Sequence, residues 1–162
     1  MIKFEFTGEP ISHFGVTLHR IKALRDFGNV TAGELGGYVE KIENLSHDGN
    51  AWVSGNAWVY GNAQVSGDAR VYGDAQVSGD ARVEGNARVE GMLDFIVFKN
   101  WWSSGRWFTW TRSNNMWACG CFHGTGEELV AKAYKDSETS GREYKRVVDY
   151  VEACRSDNGG LK

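Results

Sequence analysis

Proline occurs once, at Pro10, and cysteine three times, at Cys119, Cys121 and Cys154, in a chain of 162 residues. One proline beside seven tryptophans and 13% aromatic residues excludes a low-complexity disordered chain, in which that balance is reversed. Three cysteines cannot all pair within one chain, so a disulfide-stapled secreted fold is not expected and a reducing compartment, the cytoplasm, is. No run of about 18 apolar residues is present to cross a membrane as a helix. Nor does an early basic segment lead into an apolar run with a small-residue cleavage site, so no export leader is expected. Charge of one sign is not gathered anywhere. Residues 1–48 carry five Lys/Arg against seven Asp/Glu, residues 49–90 three against five, and residues 91–162 ten against nine. A phosphate-backbone binder concentrates basic residues on one surface, so nucleic acid is not the expected partner.

What is present is a repeat. From Gly49 the chain reads GNAWVS, GNAWVY, GNAQVS, GDARVY, GDAQVS, GDARVE and GNARVE, ending against Gly91. A period of six advances a helical side chain by about 240° around the axis per copy, so the valines would form no single stripe. In a short strand, by contrast, Ala and Val two apart point to the same side, and the Gly-Asn/Asp pair supplies a corner where positive φ is tolerated. Three strands and three corners make a triangular coil of 18 residues, with neighbouring coils about 4.8 Å apart. The spacing predicts a parallel β-helix with the seven alanines (51 to 87) and seven valines (53 to 89) inside. Leu45 and Val39 continue the alanine register upstream and Asn44 the corner, giving an irregular first coil from about Gly37 and about three coils in all.

Reading 18 residues apart places Trp52, Arg70 and Arg88 in one outward column, Trp58 and Gln76 in a second, Gln64 and Arg82 in a third, and Ser54, Tyr72 and Glu90 in a fourth. Two tryptophans on adjacent outer faces of the first full coil are excessive for solvent, so that end is expected to be covered. Trp52, Trp58, Tyr60, Arg70 and Tyr72 are the candidate contact patch on the solenoid. In the C-terminal part Trp101, Trp102 and Arg106 are candidates, since Trp and Arg are enriched as interface anchors.

The flanks read as separate pieces. Residues 1–36 form a β-rich cap with strands around Phe4-Phe6 and Val16-Leu18, a turn at Gly8-Glu9-Pro10 and another at Asp26-Phe27-Gly28-Asn29. Residues 37–91 are the β-helix. Residues 92–162 show three strand-like runs, at Phe95-Phe98, Arg106-Trp110 and Met116-Cys119, then two helices opened by capping boxes at Thr125/Glu128 and Ser140/Glu143. Tyr144, Val147, Val148 and Val151 follow helical spacing. A three-stranded antiparallel sheet with two helices on one face uses all of these.

The run from Leu18 to Gly28, then Gly36-Gly37-Tyr38-Val39-Glu40, Asn44-Leu45-Ser46, the GNA-x-V turns, and Cys119-Gly120-Cys121-Phe122-His123-Gly124-Thr125 with Glu127-Glu128, together resemble a group of uncharacterised phage and prophage proteins. The resemblance spans nearly the whole chain and implies a host-interaction, anti-defence or accessory role in the host cytoplasm. The repeat alone resembles the left-handed hexapeptide β-helix of acyltransferases, which implies left-handed coils and sites between subunits of a trimer.

Chemistry-bearing residues are sparse. Cys119-x-Cys121-x-His123, with Cys154 as a fourth ligand, is the best metal pattern. Structural zinc uses wider knuckles, however, and a buried cysteine is an ordinary small hydrophobe, so no metal or other cofactor is expected. Acyl transfer needs a histidine near the coils, and the regular coils contain none; His47 is the nearest. The expected function is therefore a non-enzymatic interaction scaffold, a homodimer or trimer with a host or phage protein as partner. The alternative is a small-molecule or nucleotide binder, or an acyltransferase-like enzyme, with a site between subunits or near Gly91.

Overall fold

The computed structural model describes residues 1–157. Its N-terminal part is an antiparallel hairpin, β1 (Phe4–His13) and β2 (Val16–Ala23), followed by β3 (Leu35–Val39). The seven repeats form seven two-residue strands: β4 (Trp52–Val53), β5 (Trp58–Val59), β6 (Gln64–Val65), β7 (Arg70–Val71), β8 (Gln76–Val77), β9 (Arg82–Val83) and β10 (Arg88–Val89). They stack in parallel 18 residues apart, as β4-β7-β10, β5-β8 and β6-β9. Every repeat alanine and valine is fully buried. The corner glycines, 49 to 85, have φ of +63° to +68°, where any other residue is strained. This is a β-solenoid of hexapeptide type flanked by β and α elements.

The irregular first coil exists, but its register differs from expectation. Val39 pairs with Val59 and Leu45 with Val65, so both stand under valines, not alanines. Two extra residues in the 46–50 segment, between Leu45 and Val53, produce the shift. Asn44 is no corner. It is buried, and its Nδ2 donates to the carbonyls of Gly61 (3.2 Å) and Ala63 (2.8 Å).

A second correction concerns the cap hairpin. Gly8-Glu9-Pro10 lies inside β1, where the pairing with β2 slips between Thr7 and Ile11, and the true turn is at Phe14-Gly15. A bulge and a turn call for the same residues. β1 to β3 lie over the start of the solenoid, and cap and coils share one apolar core. Gly36 is needed there, since a Cβ would come within 2.6 Å of the Val53 carbonyl and 2.7 Å of the Trp52 ring.

The C-terminal sheet has four strands rather than three: β11 (Phe95–Lys99), β12 (Trp107–Thr111), β13 (Met116–Cys119) and β14 (Phe122–Gly124), in that order. Helix α1 (Gly126–Asp136) carries the expected box, with Thr125 Oγ1 accepting from Glu128 N–H at 3.2 Å and Glu128 Oε2 from Thr125 N–H at 2.9 Å. Helix α2 (Glu138–Asp157) begins earlier than expected. Ser137, not Ser140, supplies the capping oxygen, to Ser140 N–H at 3.0 Å, and Ser140 is buried within the helix.

Alternation in the sheet joins the two halves. Ile96 and Phe98 of β11, with Phe108 and Trp110 of β12, pack on Leu129, Tyr144, Val148 and Val151 of the helices. Phe95 and Val97 face the other way, onto the solenoid core.

The direction of the ladder explains both ends. Outside the bonds exchanged within paired strands, the N–H groups of one coil donate to carbonyls of the next, as Trp52 does to Ala69 and Arg70 to Ala87. Carbonyls at the start of the regular stack, such as those of Ala57 and Val59, and N–H groups at its finish, such as those of Arg82 and Arg88, therefore need partners from outside it. At the start β3 and the irregular first coil supply donors, Tyr38 N–H to Ala57, Glu40 N–H to Val59 and Ser46 N–H to Val65, and the cap adds Lys3 Nζ to Ala51 at 2.7 Å. At the finish the C-terminal part supplies oxygens: Thr109 Oγ1 to Arg82 N–H at 2.9 Å, Ser113 Oγ to Arg88 N–H at 2.7 Å and Asp94 Oδ2 to Glu90 N–H at 2.8 Å. Among the described residues no helix is long and apolar enough to cross a membrane.

Candidate functional site

One outward column runs under the cap. Trp52, Arg70 and Arg88 stand on adjacent rungs of β4-β7-β10, with Ser54 and Tyr72 beside them at the next corner. The loop between β2 and β3 leans over this face and contributes Asn29, Val30 and Glu34. Together they enclose a groove of about 260 Å³.

The groove holds a like-charge stack that the rest of the solenoid avoids. At the corners, Asn and Asp alternate between coils, so that Asn50 donates to Asp68 (3.0 Å) and Asn62 to Asp80 (3.3 Å) in place of stacked carboxylates. On the β6-β9 face Arg82 sits on Gln64 and donates to its amide oxygen at 2.9 Å. Arg70, by contrast, carries Arg88 one rung away. Burial, then the Arg88 charge, pull the Arg70 pKa below the ordinary guanidinium value, against the smaller opposing effects of Glu34 and Asp68. Unit charges about 5 Å apart repel by roughly 1 kcal/mol in bulk water and by more where water is excluded. Arg70 Nη2 donates to Asn29 Oδ1, tying the column to the cap loop.

Further donors lie behind the column. Lys3 is fully buried, 5.0 Å over the Phe27 ring, and burial, then the charges of Arg25 and Arg70, lower its pKa to about 8. Among the described residues, three buried side-chain polar atoms lack a partner, and two are donors at this end: Arg25 Nε and Trp52 Nε1. His47 stands beside this group. Its Nδ1 accepts from Lys3 N–H at 3.0 Å, and burial, then the Lys3 charge, lower its pKa.

The structure distributes the sequence candidates among three places. Trp52, Arg70 and Tyr72 meet in the groove, but Trp52 is 1% exposed, edge-on to Phe27 at 5.3 Å, so it forms the floor and not an exposed contact. Trp58 and Tyr60 belong to the next face and are half-buried, Trp58 edge-on to His13 at 4.5 Å. Trp101 is 75% exposed, while Trp102 lies edge-on to Tyr144 at 5.0 Å. Arg106 is exposed at a cleft of about 380 Å³ shared with Asp136 and Tyr144. Arg88, Ser54, Glu34 and Asn29 escaped the sequence selection. Arg88 and Ser54 were visible as column members, whereas nothing in the spacing marks Glu34 or Asn29.

The candidate metal pattern is not assembled. Gly120-Cys121 is a hairpin turn between β13 and β14, so Cys119, Cys121 and His123 do not share one side of an extended segment. Cys119 is buried, its Sγ 3.4 Å from the Tyr144 hydroxyl, while Cys121 and His123 are exposed and Cys154 lies on α2. Asn100 Nδ2 also donates to that hydroxyl, at 3.2 Å, and burial pushes the phenol well above its ordinary pKa. Among the described residues no group of three or more His, Cys, Asp or Glu is placed to hold a metal ion.

Fold and groove define a β-solenoid with a basic site built between cap and coils. A family model described as the YdcK beta solenoid repeat matches residues 63–75 and 75–91, so the chain is similar to that family over a short internal stretch. A search of curated proteins finds no match to this chain.

Proposed function

We propose that this protein is a ligand-binding scaffold that holds a small acidic molecule in the groove under its cap, without catalysing a reaction on it. The observation that carries this reading is Arg88 stacked on Arg70 in a concave site to which Ser54 and Tyr72 add hydroxyls and Glu34 the one carboxylate. A bound acid relieves the repulsion and offers acceptors to both guanidiniums. Calorimetric titration with small mono- and dianions tests it. The wild type binds dianions and Arg88→Gln loses at least most of that affinity, whereas equal binding by both proteins, or by neither, overturns the reading.

The three parallel ladders support a triangular coil, and the hexapeptide resemblance supports left-handed winding. The phage resemblance supports action in a host cytoplasm. Since both ends of the stack are covered, subunits of a dimer or trimer would join through side faces.

A second reading, capture of a host or phage protein, is favoured by exposed aromatics away from the groove: Phe14 at 95%, Trp101 at 75% and Trp107 at 41%. Loss of a captured protein in Trp101→Ala, with Arg88→Gln unaffected, would select it over ligand binding.

A further inference from the structure

Resting on the reading that the groove binds an acid, we infer that its ligand is a phosphate monoester with a hydroxyl near the ester oxygen, as in a sugar phosphate or a nucleotide. Two guanidiniums on neighbouring rungs call for two negative charges, and a phosphate monoester carries about −1.5 to −2 near pH 7. Its shape also fits. A carboxylate has two oxygens, which one guanidinium fork already satisfies, whereas a tetrahedral phosphate has three terminal oxygens to divide between two forks one rung apart. The Trp52 indole N–H, buried beneath the groove without a partner, is a reporter next to the same place.

Glu34 separates an ester from bare phosphate. Its carboxylate stands on the cap side of the groove and, among the described residues, accepts one hydrogen bond, from Thr31 N–H at 3.3 Å. It repels an anion with nothing else to offer and accepts from a ligand hydroxyl. Val30 and Tyr72 supply apolar surface for the ring that carries such a hydroxyl. Donors at the coils, an acceptor on the cap loop and the apolar lining of Val30 and Tyr72 match one molecule with an anionic head and a polyhydroxyl body.

Calorimetry with ribose 5-phosphate, ribose, AMP, cyclic AMP, inorganic phosphate and malonate tests this, together with the Trp52 indole resonance of ¹⁵N-labelled protein. The expected result is binding of ribose 5-phosphate or AMP with a change in that resonance, no binding of ribose, and binding of cyclic AMP and malonate weaker by tenfold or more. AMP tighter than ribose 5-phosphate assigns the nucleotide as source; equal affinity assigns the sugar phosphate. Arg88→Gln, shown by its circular dichroism to be folded, weakens the ester by about 10- to 100-fold, and Glu34→Gln strengthens inorganic phosphate relative to the ester. Malonate binding as tightly as the esters overturns the phosphate class while leaving an acid-binding groove. Cyclic AMP equal to AMP overturns the two-charge argument. If none of the anions binds, the groove reading falls as well.

Discussion

Replacing Thr109 by valine removes one oxygen from the junction between solenoid and C-terminal sheet and changes little else in volume. Thr109 is 1% exposed, and its Oγ1 accepts the N–H of Arg82 at 2.9 Å, one of the peptide donors that the last coil directs away from the stack. Without it that N–H stays buried and unpaired, at a cost of about 1–3 kcal/mol. For a chain of this size a kilocalorie shifts the melting temperature by about 2–4 °C, so Thr109→Val should melt about 2–12 °C lower. Thr109→Ser keeps the oxygen and should lose much less. Calorimetric melting reads the midpoint, and amide exchange at Arg82 reads the opened peptide. If Thr109→Val melts with the wild type while Thr109→Ser does not, the loss follows packing and not the hydrogen bond, and the polarity argument for the stack ends is wrong.

Burial of Lys3 gives a pH signature. Below about pH 8 its ammonium is charged in both folded and unfolded chains and the burial penalty is fully present; between about 8 and 10.5 only the folded chain has lost the proton. Stability should thus rise by about 1–3 kcal/mol across that window in wild type relative to Lys3→Met, as denaturant midpoints measured at several pH values would show; a fall would contradict it. Val71→Asp places a carboxylate in the fully buried interior and should abolish the β-rich circular dichroism spectrum, whereas a soluble, cooperatively melting variant would mean that the position is not sealed. Asn50→Asp sets a carboxylate against Asp68 and breaks a 3.0 Å bond, costing about 1 kcal/mol at pH 7 and less near pH 3, as paired melts at the two pH values would reveal.

Legibility followed repetition. The Ala and Val register was readable because each position recurs seven times with the same environment. The Thr125/Glu128 box was readable because both residues act within one turn. Single events were misread where two local rules use the same residues. Ser140/Glu143 imitates a box, but helix continues back to Glu138, and Gly141 is needed where a Cβ would meet the Tyr134 ring at about 2.1 Å. The hairpin turn left no signature, because Phe14 takes φ of +46°, which a bulky residue seldom does. In the groove, Trp52, Arg70 and Tyr72 were found by their 18-residue spacing. Asn29 and Glu34 arrive from a loop whose approach is decided by tertiary packing, and no local pattern encodes it. The basic character of the site was hidden for the same reason, since the first 48 residues carry more acid than base and only folding brings Lys3 and Arg25 up behind Arg70.

The central claim, that two stacked arginines wait for an acid, is tested most directly by melting wild type and the Arg70→Gln/Arg88→Gln double variant in chloride and in a dianion at constant ionic strength. The account predicts that the dianion raises the wild-type midpoint by several degrees, as saturating ligand at about 100 times its Kd adds about 2.7 kcal/mol, and leaves the double variant unmoved. Equal shifts in both proteins, or no shift in the wild type, would contradict it.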